Sequence, residues 1–440
     1  MTYTDQPTGA IAPADWMLWP ESKAIITALN AGGKDARFIG GCVRDSILKI
    51  PVTDIDIATP ERPDRVMELL QAADIKAYPT GIDHGTITAV IGDRHFEVTT
   101  LRVDLENYGR HARVAFTDDW YADALRRDFT INTLSCTLEG EIYDPVGGME
   151  DLGNRKVLFV GVAKDRIEED LLRLLRFFRM QATYGKPPLD ADALAACRLL
   201  APRLTELSAE RITSELFRIL LAPNPADTLL LMQGVRVLDH ILPEAIDFGR
   251  LRMQTWLETT AINVGSVKPD RLRRLAAVLG TPADGSLSAL AGRLRLSNHD
   301  ANRLAMLTSP RYSISWDMDQ AVVRRALQDI GSDEFRDLTL LAWAAEMAVE
   351  PRHPQDRTDA WLALLETADQ WTPLNFPLTG QDALDLGMEP GPGVGQNLKF
   401  IKAWWQAGEF KAGRDECLNR LKAVIGFSDT YGKTNKEHLK

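Results

Sequence analysis

Strand-like alternation is confined to the first 160 or so residues of this chain, and helical periodicity runs through nearly all of the remainder. That one change of texture limits the fold more than any other feature. Arg37–Ile39, Thr53–Ala58, Thr86–Ile91, His95–Leu101, Glu141–Tyr143 and Val157–Val160 read as strands, interleaved with short helices. Beyond about residue 163 the strand signal fades, and helices succeed one another between Pro187-Pro188, Pro202, Pro223, Pro225 and Pro243. The expected architecture is α+β: a mixed head that carries the chemistry, joined to a long all-helical arm.

The head holds the most informative stretch, residues 38 to 56. Gly40-Gly41 follows a short strand and opens a helix predicted over Val43–Leu48. Glycine lets a phosphate approach the backbone N–H groups, and a helix N-terminus favours an anion. Arg44 adds a forked donor suited to phosphate oxygens. Asp54 and Asp56 then lie one residue apart on an alternating run, with Ile55 and Ile57 turned to the core. Two carboxylates spaced roughly 7 Å along one strand face can bracket a pair of Mg²⁺ ions about 4 Å apart. Glu97, between the apolar Phe96 and Val98, could join them if its strand pairs with theirs. A Gly-Gly turn or a D-x-D is common alone. The two in this order, this close, suggest an enzyme that handles a nucleoside triphosphate.

Two further stretches carry candidate ligands. In Ala124–Asn132, Arg126, Arg127 and Asp128 open a predicted helix. Arg127 could contact the triphosphate, and Asp128 or Asn132 a ribose hydroxyl. Asp165–Met180 reads as one continuous helix with Leu171, Leu174, Leu175 and Phe178 inward, which makes Asp170 and Arg173 surface neighbours. A carboxylate can accept from the exocyclic amino group of cytosine or adenine while a guanidinium donates to the adjacent bare ring nitrogen. Uracil and guanine reverse that pattern. One Asp/Arg pair can therefore select C and A without a template. Arg176 and Arg179 continue the basic series toward the phosphates.

Composition excludes several alternatives. The chain has 440 residues, 45% hydrophobic and 26% charged, with a net charge of -11. This argues against broad, non-specific nucleic-acid binding and predicts that any RNA-facing arginines are segregated on one surface. Cys42, Cys136, Cys197 and Cys417 form no C-x-x-C, so neither a zinc site nor a disulfide framework is expected. The first 20 residues lack a basic start and a sustained apolar run, and the apolar stretch Leu338–Val349 is too short to span a bilayer. The expectation is a cytoplasmic protein with no membrane partner. Oligomeric state leaves no readable signal.

GGCVRD, TDID, RRDFTIN and EEDLLRLLR, in this order, resemble the class II tRNA nucleotidyltransferases, a family that includes CCA-adding enzymes and related bacterial poly(A) polymerases. HILPEA at 240–245 and the stretch 378–410 look like further family elements. The resemblance implies a polymerase-β-like nucleotidyltransferase head (1–160), a helical neck with a nucleotide-selecting helix (161–225), a helical body (226–365) and a tRNA-binding tail (366–440). It implies addition of CCA to tRNA 3′ ends from CTP and ATP, with the acceptor stem along the helical arm. By position, Asp54 and Asp56 match the metal-binding catalytic pair, with Glu97 a weaker match as supporting acid. Gly41 and Arg44 match the triphosphate-contacting residues, Arg127 the arginine of the RRD motif, and Asp170, Arg173, Arg176 and Arg179 the nucleotide-selecting and nucleotide-binding helix. Leu105–Ala122 matches a mobile loop associated with the switch from C to A.

The chain departs from the family pattern in small ways. Leu171 replaces a common proline, Thr133 a common alanine, and RHARV at 110–114 a common RHP start. None removes a charged group. Three activities remain distinct on paper: full CCA addition, poly(A) or partial (CC- or A-) addition, and non-catalytic RNA binding. The run AVIGDRHFEVTTLR lacks the basic series expected of the poly(A) group, and the intact acid pair opposes a catalytically dead protein.

Overall fold

A computed structural model describes residues 5–106, 113–261, 267–279, 285–352 and 354–437. The chain divides into two compact units, Met1–Phe248 with Ser288–Leu296, and Gly249–Leu287 with Ser297–Lys440. The finer division into neck, body and tail stays a proposal.

The first unit holds the strands β1 (Gly9–Ala10), β2 (Arg37–Ile39), β3 (Ile55–Thr59), β4 (Lys76–Gly81), β5 (Thr86–Ile91), β6 (Arg94–Thr100), β7 (Arg102–Glu106), β8 (Arg113–Phe116), β9 (Ser135–Cys136) and β10 (Glu141–Tyr143). Eight of them form one sheet in the order β1-β10-β9-β2-β3-β6-β5-β4, while β7 and β8 form a separate hairpin. β3 and β6 run parallel and the neighbouring pairs antiparallel, so the sheet is mixed. The period-2 pattern explains why β6 sits where it does: Phe96 and Val98 are fully buried while Glu97 between them is exposed. Ile55 and Ile57 are likewise buried beside a half-buried Asp56.

Helices of this unit include α1 (Pro20–Asn30), α2 (Gly41–Ile47), α3 (Pro63–Ala72), α4 (Trp120–Leu125), α5 (Gly148–Gly153), α6 (Ala163–Glu169), α7 (Leu172–Tyr184), α8 (Ala191–Leu200) and α9 (Ala209–Leu221). α7 buries Leu174, Leu175, Phe177 and Phe178, with Phe177 stacked on Phe159 at 5.7 Å.

Three expectations need correction. Val157–Val160 is not a strand; it makes one isolated bridge, Phe129 to Phe159, flanked by hydrogen bonds from the Thr130 N–H to Leu158 and from the Val160 N–H to Asp128, and the pairing stops there as the chain turns at Thr130–Asn132. Arg126 and Arg127 do not open a helix. They come after the C-terminus of α4, which Asp119 caps at its other end by accepting from the N–H groups of Tyr121 and Ala122; basic groups at a helix C-terminus suit its dipole. Asp165–Met180 is two helices, not one. Asp170 between them is extended (φ -148, ψ 107), its carboxylate accepts from the N–H of Leu172, and α7 restarts there.

The second unit is helical in its described residues. Gln320–Val349 is kinked at Gly331 and packs against Gln355–Gln370, with Trp343 stacked on Trp361 at 6.1 Å. The helices Gly380–Asp385, Pro392–Ala407 and Arg414–Glu437 enclose a small core of Leu378, Ala383, Ile401, Trp405, Cys417 and Leu421. Trp405 is therefore a packing residue. No helix is long and apolar enough to cross a membrane among the described residues.

Candidate active site

The acids meet at the centre of the sheet. β3 and β6 pair in a register that sets Asp56 directly opposite Glu97. Adjacent strands lie about 4.8 Å apart, so two carboxylates on one face there repel strongly. Asp54 lies just before β3 rather than within it, and is exposed. Asp56 is pushed from an ordinary 3.8 up to about 6 by burial first and by Glu97 next; Arg127 pulls the other way, and Asp54 adds a further upward push. The cluster is short of positive charge.

Arg127, whose charge acts on Asp56, also approaches the Gly40-Gly41 turn. Gly40 adopts φ 73, ψ -121, a conformation that favours glycine, and its N–H donates to the carbonyl of Leu134. α2 starts at Gly41, and the leading N–H groups of a helix have no partner within it. Arg127 Nη1 comes within 3.5 Å of where a Cβ on Gly40 would stand. Its Nη2 and Nε donate to Asp123 at 2.9 and 3.2 Å. Asp123 also accepts from Arg126 Nε at 2.8 Å and is almost fully buried. Burial alone would raise its pKa, but the two arginines hold it below the ordinary value. Sequence reasoning missed Asp123, which stands upstream of the RRDFTIN motif; the signal that could have found it is its spacing, i,i+3 and i,i+4 from the two arginines.

Arg44 is not the free phosphate donor its position suggested. It is 6% exposed, and its guanidinium donates to both Asp45 oxygens (2.9 and 3.1 Å), to Tyr184 Oη (2.6 Å) and to Asn132 Oδ1. Asn132 in turn donates to Asp128 Oδ1 at 2.9 Å. Burial pushes the Asp128 carboxyl up, yet the Arg176 charge and the Asn132 bond outweigh it and the pKa falls.

The nucleotide-selecting candidates sit on α6–α7, in different company from that expected. Asp170 and Arg173 are not paired with each other. Arg211 on α9 donates to both Asp170 oxygens at 3.0 and 2.9 Å. Arg173 donates to Glu169 at 2.5 Å and to the carbonyl of Arg126 at 3.0 Å. Arg176 lies 2.6 Å from Asp128, and Arg179 2.7 Å from Glu215. Neither contact has hydrogen-bond alignment at Asp128 Oδ2, Arg179 Nε or Glu215 Oε2. These two arginines are held by charge rather than by directed bonds, and burial lowers the pKa of Arg179 against the pull of Glu215. Residues 107–112 of the predicted mobile loop lie outside the described residues.

The donor set fits Mg²⁺. Carboxylate oxygens are the hard ligands that ion takes, and it is often held by one or two carboxylates together with substrate phosphates. Among the described residues no group of three or more His, Cys, Asp or Glu is arranged to hold a metal. The unbalanced charge at Asp56 is what a divalent cation would neutralise.

This fold and site define a nucleotidyltransferase. Residues 36–158 match the family model described as Poly A polymerase head domain, and 188–248 match that described as Probable RNA and SrmB- binding site of polymerase A. The chain is 39% identical over 402 residues to a CCA-adding enzyme of Streptococcus pneumoniae, covering 89% of this chain and 94% of that one. It is 32% identical over 417 residues to the mitochondrial CCA tRNA nucleotidyltransferase 1 of Mus musculus, covering 93% and 92%. The crystal structure of the Bacillus stearothermophilus CCA-adding enzyme in complex with CTP superposes with a TM-score of 0.73 at 26% identity, covering 94% of this chain and 100% of that one. The chain belongs to the family of CCA-adding tRNA nucleotidyltransferases.

Proposed function

We propose that this enzyme adds C, C and A in turn to the 3′ end of tRNA, using CTP and ATP and no nucleic-acid template. The observation that carries the reading is the electrostatic coupling of Asp56 to Glu97 and Asp54, with Arg127 acting on Asp56 and reaching Gly40. The named activity of the relatives supports it over most of the chain's length.

The 3′-hydroxyl oxygen attacks the α-phosphorus, the new O–P bond forms, and the α–β bridge bond breaks to release pyrophosphate. Asp54 and Asp56 would hold Mg²⁺, which when bound lowers the pKa of the attacking hydroxyl and neutralises the triphosphate. Glu97 keeps the carboxylate field strong on the same face. Arg127 and the turn N–H groups bind the triphosphate, with Asp123 fixing the arginine's fork. Asp170 and Arg173 exchange their present partners, Arg211 and Glu169, for the amino group and ring nitrogen of C or A. Arg179, held to Glu215 by charge alone, turns toward phosphate, while Arg176 keeps its pairing with Asp128 and adds positive charge beside the site. The helical arm carries the tRNA by backbone and shape contacts, and a cytoplasmic location fits this duty.

The decisive assay uses three tRNAs, ending before CCA, after C, and after CC, with labelled CTP or ATP and Mg²⁺. Correct addition that stops at the terminal A is expected on all three. Long A tails would instead mark a poly(A) polymerase, addition of C alone or A alone a partial enzyme, and no incorporation a non-catalytic RNA-binding protein.

A further inference from the structure

The geometry points to Tyr184 as a positioning residue that fixes the base-selecting helix α7 against the phosphate-turn helix α2, and so helps set which base is accepted. Its hydroxyl donates to Asp45 Oδ1 at 2.9 Å, across 139 residues of sequence, and accepts from Arg44 Nη2 at 2.6 Å. Its ring lies against the Arg44 guanidinium, 4.1 Å from the carbon to the ring centre. Tyr184 ends α7, whose first turn holds Arg173 and whose middle holds Arg176.

From Tyr184 a closed circuit returns to the same helix. Arg44 donates to Asn132, Asn132 to Asp128, and Asp128 pairs with Arg176. α7 is thus attached to α2 directly at its last residue, and through the Asp128–Asn132 segment near its middle. Residues 176 and 184 are eight apart, roughly 12 Å along a helix axis. The buried face of α7 holds the helix against the core, and two polar anchors at that spacing refine its tilt relative to α2. The tilt matters because Asp170 and Arg173 lie at the α7 N-terminus, the far end of the lever from Tyr184, while Gly40 and Gly41 lie at the start of α2. Base edge and triphosphate are held by different helices, so their separation must be built into the fold. A small misplacement of reacting groups costs rate and discrimination steeply. Burial, with the hydrogen bond to Asp45 assisting, pushes the tyrosine pKa up to about 12, so the hydroxyl remains a donor across the working range.

This rests on the reading that Asp170 and Arg173 select the base. The test compares wild type with Tyr184→Phe, which keeps the ring over Arg44 and deletes only the hydroxyl. Equilibrium binding of CTP and of UTP is measured in Mg²⁺ on the full chain, alongside C and U transfer to tRNA lacking CCA. The wild-type preference for CTP over UTP is expected to shrink about tenfold in the variant, with KM for CTP changing less than kcat. An unchanged CTP/UTP ratio overturns the proposal, even if the variant melts earlier, since a purely structural tyrosine would lower stability alone. If Tyr184→Phe does not fold, Asp45→Asn removes the same charged acceptor with the tyrosine in place and gives the same readout. A wild type that transfers nothing to tRNA defeats the functional reading while the binding ratio still decides Tyr184. A wild type that binds CTP and UTP alike defeats both.

Discussion

Two clusters of acids, one in each unit, show what charge balance means here. In the helical unit, Glu258, Asp270 and Asp337 meet Arg273, Arg274 and Arg303. Arg273 bonds Glu258 at 2.8 Å and Asp337 at 2.5 Å, Arg274 bonds Glu258 at 2.6 Å, and Arg303 bonds Asp270 at 2.9 Å and Asp337 at 2.6 Å. Every acid has a cation, and the Asp270 carboxyl is held below its ordinary value in spite of burial, by the Arg273 N–H and by Arg303. In the head, Asp56 faces Glu97 and Asp54 with Arg127 as its offsetting cation, which Asp123 already engages, and Asp56 rises to about 6. The balanced cluster is a structural knot. The unbalanced one is kept at a cost in stability, which is the mark of a site waiting for a ligand.

The largest test of that contrast removes one acid from the head. Asp56→Asn is expected to lower C transfer to tRNA by about 10³-fold or more, the several kcal/mol that metal-assisted charge stabilisation supplies. Single-turnover rates at saturating CTP check it. Transfer at near wild-type speed would remove Asp56 from the chemistry.

Breaking the knot has the opposite signature. Glu258→Gln leaves Arg273 and Arg274, both buried, short of their shared partner. The expected loss is about 3–5 kcal/mol of stability, read from urea unfolding of the helical unit, with CTP affinity unaltered. Lost nucleotide binding in a still-folded protein would show that this cluster belongs to the site after all.

Stability and pH separate the two clusters again. The folded Asp56 carboxyl holds its proton more tightly than the unfolded one, about 6 against 3.8. Its contribution to the fold is therefore full below the lower value and is lost as pH rises through the upper one. In EDTA at pH 8, Asp56→Asn is expected to be more stable than wild type by on the order of 1–3 kcal/mol, the gap closing as pH falls toward 4. Added Mg²⁺ should close it from the other side, by stabilising wild type alone. A gap that ignores pH would mean that Asp56 carries no unfavourable charge.

How much of this could be read from the chain depends on the range of the interactions. Alternation around Phe96 and Val98 showed that Glu97 faces away from the core, and the same rule turned Asp56 away from Ile55 and Ile57. The register that sets Asp56 opposite Glu97 belongs to strand pairing across 41 residues and has no local signal. The helix break at Asp170 was hidden because Leu171 stands where a proline would have marked it; the break is held by the Asp170 carboxylate and by Arg211 from another helix. Val157–Val160 misled because an apolar β-rich run looks like a strand whether its pairing extends or, as here, stops after one bridge to Phe129. Arg44 looked like a ligand because its partners, Asn132 and Tyr184, arrive from 88 and 140 residues away.

The smallest effect concerns Arg127, the cation that offsets the head cluster. Asp123→Asn keeps the size of the side chain but weakens its grip: the amide oxygen can still accept, while the charge that orients Arg126 and Arg127 is gone. Arg127 then loses its fixed fork beside Gly40, although not its charge. Transfer should fall about tenfold, roughly the 1.4 kcal/mol of one charge-assisted bond, with kcat reduced more than KM. Because Arg127 would still offset part of the charge on Asp56, the pH-dependent stability step of the head should persist in this variant. Its disappearance would show that Asp123, and not the acids of β3 and β6, sets the electrostatics of the site.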